Sequence, residues 1–358
     1  MLAPLDIFDP SSYPTRRDEE WKYSDLSRVL REAPAPFRPV EIADYEPEEG
    51  PFESIAVVNG GSSITSHKFA NLADRVGVSF VGHSMKEGIL GHQGEATIDV
   101  PEGKSLVLFE TYSNWQIWHD GVCVENDERP YVGNTTLRIT LGEGASLTRV
   151  VILDESAEAV SIRRSTVRTA PNSRFKQYVF STGAKFQRFE THVAHAGHGA
   201  EVELNGAYLL KDKRHFDLTT RVTHAEVDGI TSQLIKGLVK DTATGVFQGR
   251  ILVKRGADGT DARMRHQALI LNDGAHIRAK PELEIYADDV QCAHGNTIGA
   301  LDEEALFFCE SRGIPEDAAR ALLTQAFVMP VADLIEDEQL RETVIEFLDK
   351  HTEAFHGL

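Results

Sequence analysis

The 358-residue sequence predicts a mainly β protein, a long body of short strands that gives way to helices near its C-terminal end. Three observations carry this. Runs rich in apolar and β-branched residues recur at 54–59, 104–110, 136–140, 146–153, 175–180, 201–204 and 249–253, separated by Gly, Asn and Asp turns. A small-residue turn followed by a strand recurs at Gly144-Ala145-Ser146-Leu147, Asn172-Ser173-Arg174-Phe175 and Gly199-Ala200-Glu201-Val202. It returns more loosely at Asp228-Gly229-Ile230-Thr231 and Asp273-Gly274-Ala275-His276-Ile277, and the first three intervals are 28, 27 and 29 residues. After Gly299 the apolar spacing becomes helical. A repeat of this size suits one coil of a β-solenoid, whose coils bury their inner faces on each other. A sandwich or barrel accommodates the same runs, so the repeat by itself leaves that choice open.

The chain divides into residues 1–52, an N-terminal helical segment and linker; 53–299, the β body; and 300–358, a C-terminal helical part. In the first, Thr15 is a candidate helix cap with Asp18 and Glu19 in the first turn, and Trp21, Leu26, Val29 and Leu30 form an apolar side. Pro34, Pro36 and Pro39 then break the helix, because each fixes the backbone and removes a donor. The helical ends are expected to cap the edges of the β body. In the last part, Asp302 is a candidate N-cap, Gly313 a left-handed C′ residue and Pro315 a first helical residue. Ala319, Leu322, Leu323, Ala326 and Phe327 make an apolar stripe that Pro330 should end. A last helix over about 337–351 places Leu340, Val344, Phe347 and Leu348 on one side.

Composition narrows the function. A formal net charge of −19 argues against nucleic acid and anionic membrane surfaces, both of which recruit basic patches. With no run of 18 apolar residues and no cationic, apolar leader, a cytoplasmic location is expected. Cys123, Cys292 and Cys309 do not make a disulfide framework. No phosphate-binding loop, Gly-x-Ser-x-Gly elbow or His-Glu-x-x-His is present. His192, His195 and His198 could share a metal only on a helix; on a strand His192 and His195 face opposite ways.

The sequence KPELEIYADDVQCAHGNTIGALD, residues 280–302, marks the handover from strands to helices. On an extended segment Cys292 and His294 point the same way, so a thiolate and an imidazole can meet one soft metal. Two ligands do not complete a site. Either the rest come from a partner, or Cys292 is a small buried residue and His294 caps a turn.

These residues resemble the SufB/SufD family of iron–sulfur cluster assembly scaffolds, and more closely its SufD branch. The resemblance is carried by the long stretch at 280–302, by SQLIKG (232–237), FQGRILV (247–253), GTDA (259–262), LFF (306–308) and SRGI (311–314), and by PTRRDEEWKYS (14–24). It covers about residues 12–26 and 205–328. Gly295 follows His294 where SufB-like chains carry an acidic residue, and residues 261–271 hold no cysteine; both favour SufD. The resemblance implies a right-handed parallel β-helix between N- and C-terminal helical parts. It further implies a non-enzymatic subunit that pairs with a SufB-like scaffold through the β-helix and binds a SufC-like ABC ATPase through the C-terminal helices around 315–328. Whether the isolated chain forms a homodimer is left open by the sequence. The implied cargo is iron or an iron–sulfur cluster, transient and shared with SufB, with none expected on the isolated chain. His294 and, second to it, Cys292 match family positions at that interface. The competing reading is a carbohydrate-active or metal-dependent enzyme on a β-solenoid, which would need carboxylates gathered on one face; the adjacent Asp288 and Asp289 diverge on a strand.

Overall fold

The protein is a two-sheet parallel β-helix. The computed structural model describes residues 5–36, 53–58, 65–69, 74–81, 89–113 and 130–356; Cys123 lies outside them. The strands are β1 (Ala35–Pro36), β2 (Glu53–Val58), β3 (Thr65–Phe69), β4 (Arg75–Val81), β5 (Leu90–Val100), β6 (Ser105–Ser113), β7 (Tyr131–Leu141), β8 (Ser146–Asp154) and β9 (Val160–Arg168). They continue as β10 (Arg174–Ser181), β11 (Phe186–His195), β12 (Glu201–Leu210), β13 (His215–His224), β14 (Ile230–Val239), β15 (Thr244–Val253), β16 (Asp261–Ile270), β17 (His276–Ile285) and β18 (Gln291–Gly299). From β4 onward the chain alternates between sheets. Odd strands stack as β1-β5-β7-β9-β11-β13-β15-β17, with β3 also on β5, and even strands stack from β2 to β18.

The stacking register explains the sequence repeat. It pairs Ser146 with Arg174, Arg174 with Glu201, Glu201 with Ile230, Ile230 with Asp261 and Asp261 with Gln291, all in parallel, so a coil takes 27 to 31 residues. Each recurring turn is a corner with one left-handed residue: Gly144 (φ 62°), Asn172 (55°), Gly199 (62°), Asp228 (56°) and Gly259 (75°). Gly, Asn and Asp tolerate that conformation best, which is why the corner is legible as small residues. These residues form their own ladder. The N–H of Asn172 donates to His198 O (2.9 Å), Gly199 to Val227 O (3.1 Å), Asp228 to Asp258 O (2.9 Å) and Gly259 to Asp289 O (2.7 Å). The Asp273-Gly274-Ala275 turn does not belong to this series. It precedes β17 at the opposite corner, and Gly259-Thr260-Asp261 takes the fifth place.

Side chains alternate in and out along each strand. Inward residues such as Leu147, Phe175, Val179, Val202, Leu204, Phe189 and Val193 build one continuous apolar core. A polar island interrupts it. Arg149 and Glu110 are both 1 % exposed and paired bidentately, and Arg149 also donates to Ser165 Oγ (2.8 Å) and Gln177 Oε1 (2.9 Å).

The helical parts clad the two outer faces of the solenoid, which corrects the expectation that they cap its ends. Sheet-facing Val150, Tyr178, Phe180, Ala207, Leu209 and Leu238 pack against Val328, Val331, Ala332, Ile335, Leu340, Val344 and Leu348. Outward positions on β8 to β14 are apolar at those points, so the side of the even-stranded sheet offers the larger burial. The N-terminal segment lies on the other sheet, where Leu5, Ile7, Tyr13, Trp21, Leu26 and Leu30 cover Val132, Val160, Ile162 and Phe186. Its helical content is confined to two 3-10 turns, Pro10–Ser12 and Glu19–Trp21, and the four-residue α1 (Leu26–Val29), which Asp25 caps through Arg28 N. Thr15 caps no helix: its hydroxyl accepts from Arg17 N (3.2 Å) within a turn, and Asp18 accepts from its N–H. Burial of its separate apolar side chains on the outer face of the sheet holds the strap in short turns, and local propensity gives way.

C-terminally, α2 (Glu303–Glu310) begins at Asp302, whose carboxylate accepts from Glu304 N and Ala305 N, and ends at left-handed Gly313 (φ 85°), both as the sequence predicts. Helix α3 (Glu316–Ala332) starts one residue after Pro315 and runs through Pro330. A proline in the last turn removes one donor and no more, so the helix persists two residues beyond it. Helix α4 is Glu338–His356, five residues longer than its expected end. The buried side of α3 is Ala319, Thr324, Val328, Val331 and Ala332, while Leu322 from the predicted stripe is 48 % exposed. No helix among the described residues is long and apolar enough to cross a membrane.

Candidate functional site at the open last coil

The final coil is the only one left bare at the C-terminal end of the described stack. β17 pairs with β15 and β18 with β16, and neither has a neighbour beyond it among the described residues. Every inner strand from β8 to β15 is largely buried, whereas β18 is exposed at all but one of its positions, the half-buried Cys292. Two adjacent unpaired edges therefore present backbone donors and acceptors together with a cross-section of the core. Such edges invite pairing with another chain.

Cys292 and His294 are brought to one face of this end. Register pairs Cys292 with Ala262 and His294 with Met264, both of which point into the core, so the thiol and the imidazole face the axis of the solenoid. Without a further coil, His294 is exposed. Cys292 packs against the core, and burial pushes its thiol up from the usual range, with Asp261 adding to the rise. A thiol held protonated is a poor ligand until a metal or a partner's charge displaces the proton. The free Cys309, on α2, is half-buried.

A separate group of metal-type ligands lies under the strap. Glu20, Glu190 and His192 place their ligand atoms within 4.8 Å of one another. Arg221 pairs with Glu20 (2.5 Å) and Arg188 with Glu190 (3.4 Å), so both carboxylates already have cations. Burial would raise the Glu190 carboxyl, yet Arg188 and His192 hold it down to about 2. This arrangement ties the strap to the sheet. As expected, His192 and His195 fall on opposite faces: His192 meets Glu190 outside, and His195 stacks inside on His224 with ring centroids 4.4 Å apart. His224 was not visible as a partner by motif, but the coil period of 29 residues between the two would have found it.

An open, mixed groove runs over the outer face of β12, β14, β16 and β18 to this edge, with Glu203, Ser232, Arg263, Arg265 and Gln291 along it and Leu334 at its rim. Exposed apolar side chains stand farther along the chain at Phe307 (71 %), Phe308 (56 %) and Leu322.

A two-sheet parallel β-helix clad by helices ends in an open coil with a thiol and an imidazole on its axis, two ligands where a closed metal site takes four. The sequence model described as "SUF system FeS cluster assembly, SufBD core domain" matches residues 83–327, and the chain belongs to the SufB/SufD family. It is 29 % identical to the iron–sulfur cluster assembly protein SufD of Escherichia coli over 69 % of this chain and 56 % of that protein. It is 31 % identical to a SufBD family protein of Synechocystis over 58 % of this chain and 46 % of the relative. A SufBD family protein of Mycobacterium bovis aligns at 25 % identity over 99 % of this chain and 92 % of its own length. The match spans about half the length of the first two relatives.

Proposed function

We propose that this chain is a SufD-like, non-catalytic scaffold subunit in iron–sulfur cluster assembly. A SufB-like partner joins at the open coil formed by β17 and β18, continuing both sheets. Iron or a nascent iron–sulfur cluster is the transient cargo of that junction, held by His294, secondarily by Cys292, and by residues of the partner. A SufC-like ATPase docks on the C-terminal helices, and its nucleotide-driven movement is transmitted through them to the junction. A reducing, cytoplasmic setting belongs to the same reading and suits the free thiols of Cys292 and Cys309.

The observation that carries the reading is the position of Cys292 and His294 on the axial face of a coil whose outer edge has no neighbour among the described residues. Two soft or borderline donors at an edge built for strand pairing make half a site, and neutral imidazole is a ligand that protonation releases. The ATPase surface is supported by Phe307, Phe308 and Leu322, which the solenoid leaves uncovered.

Anaerobic reconstitution with the SufB-like partner, with iron and acid-labile sulfide measured alongside visible absorption, tests the site. His294→Ala should lose most of the bound iron while still capturing the partner. Full cluster assembly by that variant would remove His294 as a ligand. For the ATPase, Phe307→Ser with Phe308→Ser is the sharper test than deletion, since removing α3 and α4 would strip the apolar outer face of the even-stranded sheet. Undiminished ATPase capture by the double variant would reject docking at α2.

A further inference from the structure

The face that presents His294 carries one more polar side chain, and it is braced from inside the solenoid. Asn296 follows His294 by two residues on β18 and faces the same axis, in register with the fully buried His266 on β16. His266 Nδ1 lies 2.7 Å from Asn296 Oδ1, and His266 Nε2 lies 2.8 Å from the Tyr208 hydroxyl. Tyr208 sits one lane across and two coils back, so its ring has to lean over Gly237. A Cβ on Gly237 would stand 2.2 Å from Tyr208 Cζ, which is why that position has no side chain. Phe247, stacked on His266 at 4.9 Å between centroids, holds the imidazole from the other sheet.

Hydrogen-bond accounting sets the protons along this line. The amide oxygen can only accept, so His266 carries its proton on Nδ1 and keeps a lone pair on Nε2, to which the phenol donates. With the amide turned round, Nδ1 would have to accept and Nε2–H would donate to the phenol oxygen. The buried phenol proton would then have no acceptor among the described residues, an arrangement that general experience with buried polar groups disfavours strongly. Tyr208 and His266 thus turn the Asn296 carbonyl inward and its NH2 outward, onto the exposed face of the coil.

We propose that Asn296 is the hydrogen-bond donor of the shared site, offering its outward N–H groups to sulfide or thiolate sulfur of the centre that His294 helps hold, with His266 and Tyr208 as positioning residues. The inference rests on the proposed junction. Sulfur ligands carry negative charge, and hydrogen bonds to them stabilise the more electron-rich state and raise its reduction potential. A coil end that supplied only an imidazole would lack that control. Asn296 supplies two donors without adding charge.

Two measurements test this. In the isolated chain, the 15N shifts of His266 should report a proton on Nδ1 and a bare Nε2, and Tyr208→Phe should change the shift of Nε2. Nε2-protonated His266 in the unaltered chain overturns the inference. In the anaerobically reconstituted complex, Asn296→Asp keeps the shape and replaces donors by acceptors. It should shift the visible absorption and lower the reduction potential of the assembled centre. Tyr208→Phe should shift the potential in the same direction by less. An unchanged spectrum and potential in Asn296→Asp overturns the inference and leaves the proposed function standing. A complex that holds no iron or sulfide with the unaltered chain overturns both.

Discussion

Replacing Glu110 by Leu is expected to be among the most damaging single changes in the solenoid core. Glu110 and Arg149 are 1 % exposed and meet through two bonds, Arg149 Nε to Oε1 at 2.6 Å and Nη2 to Oε2 at 2.8 Å. Tyr112 adds a donor to the same carboxylate at 3.0 Å. Without the carboxylate, the guanidinium is left with the neutral groups Ser165, Gln177 and Tyr112 and the face of Phe189 at 5.2 Å. An unbalanced buried charge of this kind costs about 3–5 kcal/mol, a large part of the about 5–15 kcal/mol that holds a typical domain. Glu110→Leu combined with Arg149→Met removes both charges at similar volume and should recover most of the loss. Urea unfolding followed by far-ultraviolet circular dichroism reads both. A single variant costing under about 1 kcal/mol, or a double variant as unstable as the single, would show that water reaches this pair and that the argument from burial is wrong.

Three further outcomes are expected. His224 and His215 are held neutral by burial, with pKa values lowered from 6.5 to about 3 and about 4. The unfolded chain takes up their protons first, so their contribution is whole above about pH 6.5 and is lost as pH falls towards those values, at about 1.4 kcal/mol per pH unit for each. Stability measured from pH 7 to 4.5 should fall accordingly, and His224→Gln should reduce the proton uptake on unfolding by about one. Trp21→Ala should release the strap at a cost of about 3–5 kcal/mol, because Trp21 lies over the Arg188 guanidinium at 4.2 Å and stacks on Phe186; faster proteolysis within residues 5–31, with the solenoid intact, is the check. Leu340→Ala, fully buried between α4 and the even-stranded sheet, should cost about 2–5 kcal/mol and raise amide exchange in α3 and α4 before it does so in β10 or β12.

Much of the fold was legible because a solenoid repeats its physics. The corner residues Gly144, Asn172, Gly199 and Asp228 stand out in the sequence since each must adopt positive φ. The helix limits at Asp302 and Gly313 were readable for a similar reason, as capping is a local demand. In the strap, Trp21, Leu26 and Leu30 have helical spacing, yet what they bury against is an outer sheet face far away in the chain, and the segment is not one helix. On α3 the apolar spacing points toward Leu322, which is exposed. Which side of an amphipathic helix faces inward depends on the sheet beneath it, and here that sheet selects Val328, Val331 and Ala332.

At the candidate site, the common direction of Cys292 and His294 followed from strand geometry alone, since residues two apart share a face. That this face is the solenoid axis, that no coil covers it among the described residues, and that burial keeps the Cys292 thiol protonated were decided by stacking. The line from Tyr208 through His266 to Asn296 belongs wholly to the tertiary structure. Its members are remote in sequence, and only coil-on-coil register makes them neighbours. The sequence by itself determined the repeat, the turns and the caps, because these answer to local backbone energy. The choice of which faces are covered and which end stays open answers to the competition between apolar surfaces, and that exists only once the coils are stacked.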